Sequence, residues 1–103
     1  MAGNLERIVP NGLIAEIDRG SWTPAPVFGL IAHRGRVERA EMEKTFNMGV
    51  GMVALVAPED TDRALAILTA RHLDCWVLGS VVKAPAKGGD GPRARLVGQH
   101  PRF

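Results

Sequence analysis

The chain has 103 residues, 46% of them apolar and 23% charged, with 12 Gly, 7 Pro and a single cysteine. That suffices for one small domain that removes roughly two thirds of its unfolded surface from water, and it is too hydrophobic for a disordered chain. The lone Cys75 excludes an intramolecular disulfide and a cysteine-based zinc site, and points to a reducing, cytoplasmic compartment.

The net charge of +2 is unevenly spread, with residues 1–82 summing to −2 and residues 83–103 to +4. The basic end holds no aromatic before Phe103, so the stacking platform of a single-strand binder is missing and no nucleic-acid partner is expected. No apolar run reaches the ~18–20 residues that span a bilayer, and the N-terminus lacks a signal-peptide pattern, so no membrane partner is expected either.

Asn4 is positioned to cap a helical turn over residues 5–9, which Pro10-Asn11-Gly12 stops. Leu13, Ala15 and Ile17 alternate with Glu16 and Asp18, predicting a half-buried strand over Leu13–Asp18. Pro26, the i, i+3, i+4 set Val27, Leu30 and Ile31, and Gly35 for a left-handed position past the end predict a short amphipathic helix. A second helix is expected from Val37 or Glu38 to about Phe46, with Met42 and Phe46 on one face. Residues 50–56 are apolar without alternation, the pattern of a central strand covered on both faces. Acids at 59–62 then lead into a helix with Leu65 and Leu68 inward and Arg71-His72 at its basic end.

Residues 76–82 and 93–97 read as strands paired in a hairpin across a Gly/Pro-rich loop at residues 84–92, and residues 99–103 as a tail. This order predicts one α+β domain over residues 1–98, with helices packed on a single mixed, mainly antiparallel sheet.

Signatures of common catalytic folds are missing: no phosphate loop, dinucleotide fingerprint, H-E-x-x-H or nucleophile elbow occurs. His33, His72 and His100 lack ligand spacing and read as surface or helix-end residues, and Cys75 as a small buried one. No metal site and no evident general base are expected. Gly49 and Gly51 bracket Val50 between a helix end and an apolar run, which fits either a helix stop or a ligand-facing turn offering Thr45 and Asn47. Asn4 and Arg7, three residues apart, share one helical turn and read either as a cap with a solvated arginine or as a grip on phosphate or carboxylate.

Taken together, Asn4-Leu5-Glu6-Arg7-Ile8-Val9-Pro10, Ser21-Trp22, Pro26-Val27-Phe28, Glu41-Met42, Thr45-Phe46-Asn47-Met48-Gly49-Val50-Gly51-Met52 and Trp76-Val77-Leu78-Gly79 resemble the C-terminal domain of the phosphoribosylformylglycinamidine cyclo-ligases, also called aminoimidazole ribonucleotide synthetases. The resemblance covers about residues 3–83. It implies ATP-dependent closure of the imidazole ring of formylglycinamidine ribonucleotide in purine synthesis, giving aminoimidazole ribonucleotide, ADP and phosphate. It further implies a homodimer whose cleft lies between this domain and an N-terminal domain that binds most of the ATP and Mg.

That N-terminal domain is missing here, so the chain is expected to be a fragment without turnover of its own. Asn4, Arg7, Thr45, Asn47, Gly49 and Gly51 are the substrate-binding residues the resemblance implies. Selenophosphate synthetase and thiamine-monophosphate kinase resemble this family in architecture. The reading from another class is a stand-alone α+β module that binds a small ligand or regulates, without catalysis.

Overall fold

The alternating stretch forms β1, Leu13–Asp18, and lies at the centre of the sheet. The computed structural model describes residues 1–84 and 93–102. β2, Gly79–Lys83, runs antiparallel to β1 with Leu13 opposite Lys83 and Ile17 opposite Gly79. β3, Ala94–Val97, runs parallel along the other edge, with Ala15 opposite Ala94.

The fold is therefore α+β with a mixed sheet of order β2-β1-β3, holding one antiparallel and one parallel pair. The expected hairpin is overturned, because β1 lies between its two strands. Of the Gly/Pro-rich loop at residues 84–92, only Ala84 is described, and its N–H donates to the Gly12 carbonyl at 2.8 Å.

Ala15 and Ile17 face a core completed by Leu5, Val9 and Ala94, all at most 5% exposed. Leu13, the third residue of that face, packs half-buried against it. The helix expected over residues 5–9 begins earlier, as α1, Ala2–Leu5. Met1 occupies the cap position and its carbonyl accepts from Asn4 and Leu5 at 3.1 and 3.2 Å, so Asn4 lies inside the helix rather than capping it. Starting at Met1 lets Met1, Ala2 and Leu5 pack on the core. Looser turns then carry the chain to the buried Val9.

α2, Pro26–Gly35, has proline in its first turn as expected, but the left-handed residue after it is Arg36 (φ 52°), not Gly35. Its predicted inner stripe of Val27, Leu30 and Ile31 is exposed, and Phe28 makes the contact instead, edge-on to Phe46 at 5.8 Å. α3, Arg39–Thr45, buries Met42 completely. α4, Thr61–Ala70, follows a single 3-10 turn, Pro58–Asp60, and buries none of its residues.

The central strand expected over residues 50–56 does not form: the segment lies outside helix and sheet, and the two places beside the central strand β1 are taken by β2 and β3. Val50 is buried, but Met52 is 90% exposed. The strand expected from residue 76 begins at Gly79, where a Cβ would run into the Glu16 backbone carbonyl, so only glycine fits at that point of the ladder.

The tail expected at residues 99–103 is anchored at its start. Arg39 Nη1 donates to Gln99 Oε1 at 2.7 Å, and His100, read as a surface residue, is 8% exposed; Phe103 lies outside the described residues. The molecule is a slab of 41 × 41 × 20 Å with a radius of gyration of 14.9 Å. A compact 100-residue domain has about 13 Å.

Candidate functional site

After α3 the backbone turns back on itself at Asn47-Met48-Gly49-Val50. The Val50 N–H donates to the Asn47 carbonyl at 3.1 Å, and both central residues have positive φ, 53° at Met48 and 96° at Gly49. That is the pattern of a type I′ turn, which favours Asn-Gly because a side chain in the left-handed region is strained. Methionine is tolerated because Met48 is 1% exposed and its carbonyl accepts from Trp22 Nε1 at 3.0 Å. Gly49 supplies the second left-handed residue without a Cβ.

The Trp22 ring is held in turn. His100 meets it edge-on at 4.7 Å, and the His100 Nδ1 lies 2.9 Å from the Arg19 carbonyl. Arg19 grips Glu43 in bidentate fashion, Nε to Oε2 and Nη2 to Oε1, both at 2.8 Å, while its Nη1 donates to the carbonyls of Leu96 and Gly98. The Glu43 side chain is 8% exposed and that of Arg19 20%. Hydrogen bonding to Glu43, aided by its charge and opposed by desolvation, holds the Arg19 guanidinium above its ordinary pKa. These groups fasten α3 and the turn after it to the end of β3.

Two of the six expected site residues, far apart in sequence, meet a third in one depression. A hollow of about 200 Å³ is lined by Asn4, Leu5 and Ile8 from the first helical turns and by Asn47, Gly51 and Met52 from the segment after α3. Asn4 also borders a neighbouring hollow of about 370 Å³ that reaches Glu43 and Lys44. Arg7 is exposed on the turn that carries Asn4, its N–H on the Asn4 carbonyl at 3.3 Å, and does not line either hollow. Thr45 ends α3, exposed, and Gly49 forms the turn; these two also lie outside both hollows.

Sequence reasoning missed the group that sets this geometry, namely Arg19, Glu43, Met48 and His100. Trp22 had a signal in the Ser21-Trp22 dipeptide, but Arg19 and Glu43 are 24 residues apart and share no local pattern.

Chemically, the first hollow offers two neutral carboxamides and backbone groups among aliphatic side chains, with no ionised side chain in its lining. Such a surface orients a ligand by hydrogen bonds and excludes water from its apolar part; it does not move a proton. Among the described residues no three His, Cys, Asp or Glu side chains converge as a metal site requires. The first hollow, with two carboxamides and no carboxylate in its lining, does not offer the donors that hold a magnesium ion. Among the described residues no helix is long and apolar enough to cross a membrane.

The model of the family described as AIR synthase related protein, C-terminal domain, matches residues 1–90. A Streptomyces fradiae protein named as a phosphoribosylformylglycinamidine cyclo-ligase with its activity unproven is 50% identical over 97% of this chain and 55% of its own length. The phosphoribosylformylglycinamidine cyclo-ligases of Caldicellulosiruptor bescii and Sorangium cellulosum are 43% and 44% identical over 85% and 89% of this chain. The chain spans about half the length of the first relative and a quarter of the other two.

Proposed function

Because the chain belongs to the family of AIR synthase related proteins, C-terminal domain, we propose that it supplies one wall of the substrate cleft of a phosphoribosylformylglycinamidine cyclo-ligase. The full reaction activates the formyl oxygen of formylglycinamidine ribonucleotide with ATP and closes the imidazole ring on an internal nitrogen, releasing ADP and phosphate. ATP, its magnesium and the phosphoryl transfer belong to a facing partner domain. The contribution of this chain is binding and orientation.

The observation that carries this reading is the convergence of Asn4 with Asn47 and Gly51 on a single open hollow. The Asn4 and Asn47 carboxamides hold the polar groups of the ribonucleotide while Leu5, Ile8 and Met52 cover its apolar edge. Arg7, exposed on the same turn as Asn4, takes the anionic end, and Thr45 and Gly49 keep the turn that presents Asn47. This reading assigns no catalytic residue to the chain and expects no turnover from it alone.

Titration with formylglycinamidine ribonucleotide, followed by the backbone amide shifts of the chain, tests it. The amides of Asn4, Asn47 and Gly51 are expected to shift together, and Asn47→Ala to weaken binding by about three- to tenfold, the worth of one neutral hydrogen bond. Shifts confined to other surfaces would remove the assignment.

A further inference from the structure

His100 is buried beyond residue 90, where the match to the family model ends. Its Nδ1 is 2.9 Å from the Arg19 carbonyl, and a carbonyl oxygen only accepts, so in the neutral ring Nδ1 carries the hydrogen and Nε2 the lone pair. That Nε2 lies 3.8 Å from Glu43 Oε2. On its other side the ring meets the Trp22 indole edge-on at 4.7 Å, and the indole Nε1–H donates to the Met48 carbonyl. Met48 keeps a left-handed φ of 53°, a conformation that persists only where its surroundings impose it. Asn47, which lines the first hollow, is the residue before it. Contacts thus run from imidazole to indole, from indole to turn, and from turn to the carboxamide offered to a ligand.

We propose that His100 is a proton-dependent positioning residue for the ribonucleotide site, its protonated form holding Trp22 where the indole fixes the turn that presents Asn47. The inference rests on the functional reading above. A proton on Nε2 gives the ring two attractions that the neutral ring lacks. It donates to Glu43 Oε2, and its charge draws it to the Trp22 π face, with the ring centroids inside the ~6 Å reach of such contacts. Four charged groups belong to this network. Glu43 comes from α3, and Arg19, from the 3-10 turn Arg19–Ser21, grips both its oxygens. Asp18 accepts from the Gly20 N–H at 2.8 Å, and Arg39 is bonded to the neighbouring Gln99. Oε2 has lone pairs for the Arg19 Nε and the imidazolium together, so protonation adds a bond without displacing the fork. The Nδ1 bond to Arg19 is made in both charge states, which keeps the fold and changes only the hold on the indole.

The test is a titration of the chain from pH 8 to pH 5, the range in which histidines change charge, followed by NMR. The Trp22 indole N–H and the amides of Asn47, Gly49 and Gly51 are expected to move with the midpoint of the His100 imidazole resonances. In His100→Phe, which keeps an aromatic edge and takes no proton, they do not follow pH; the variant also separates the effect from His33 and His72. Affinity for formylglycinamidine ribonucleotide is compared between the two chains at each pH, because the phosphate of the ligand titrates in the same range. The ratio of native to variant affinity is expected to grow about three- to tenfold from pH 8 to pH 5.5.

A His100 ring that holds one charge state throughout, turn amides that ignore its titration, or an affinity ratio that stays flat or falls towards acid overturns the inference. If His100→Phe does not fold, coincidence of the midpoints in the native chain decides. Turn amides that follow His100 in a chain that binds no ribonucleotide keep the relay and reject the functional reading. Ribonucleotide binding at Asn4 and Asn47 with a turn indifferent to His100 does the reverse.

Discussion

Replacing Glu43 by alanine removes both acceptors of the Arg19 fork and leaves the guanidinium with the Leu96 and Gly98 carbonyls at 3.2 and 3.1 Å. Breaking a buried pair by deleting one member costs about 3–5 kcal/mol, because the surviving charge stays desolvated. Here Arg19 is 20% exposed and keeps two bonds, which lowers the expected loss to about 2–3 kcal/mol. For a chain of this size that is a fall in Tm of roughly 10–20 °C. Urea unfolding followed by tryptophan fluorescence is the assay, since Trp22 sits against His100 beside the pair.

The double variant Arg19→Met, Glu43→Leu removes the charge together with its partner and is expected to cost less than Glu43→Ala alone. A Glu43→Ala loss under about 0.5 kcal/mol with an unchanged m value, or a double variant that costs the sum of both singles, would refute the reasoning.

Further outcomes follow from the same geometry. The Arg19 pKa is raised on folding, so its contribution is complete below the unfolded value and is lost only as pH climbs through the still higher folded one; the stability difference between the chain and Arg19→Met should not shrink between pH 8 and 10 by urea titration. Gly79→Ala drives a methyl group into the Glu16 carbonyl and should cost about 3 kcal/mol or more, whereas Gly3→Ala, with nothing within 4 Å of its Cβ, should stabilise by about 0.4–1 kcal/mol in the same assay. Trp22→Phe keeps an aromatic side chain but trims the indole to a phenyl ring and deletes the bond to the Met48 carbonyl, and should cost at least about 1–2 kcal/mol and move the Asn47 and Gly49 amide resonances. Gly49→Ala, at a φ of 96°, should cost about 1–2 kcal/mol and move the same resonances.

β1 was legible because its two faces differ: Ala15 and Ile17 alternate with polar neighbours, and the core takes the apolar side. α3 and α4 were legible by periodicity and acidic starts. Residues 50–56 were not, because an unbroken apolar run states that something covers it without saying what, and among the described residues no strand pairs with it. The hairpin reading failed for a related reason: strand composition carries no record of which neighbour is chosen, and β1 inserts between two segments that sequence proximity would have paired.

At the candidate site, the two asparagines and Gly51 could be named from motif and residue type, and they share one hollow. The left-handed Met48 could not, since a methionine there breaks the residue preference by which such turns are recognised.

The parallel pairing of β1 with β3 also sets a schedule for the birth of the protein. Glu16 and its cross-strand neighbour Arg95 are 79 residues apart, so at about 5–20 residues per second the ribosome releases the central strand roughly 4–16 s before its last partner is made. Through that interval the earliest β segment waits beside an unclosed loop, and the Leu96 and Gly98 carbonyls that clasp Arg19 arrive last. A stop codon upstream of Ala94 therefore removes more than an edge: it deletes a flank of the central strand and both main-chain anchors of its neighbouring arginine.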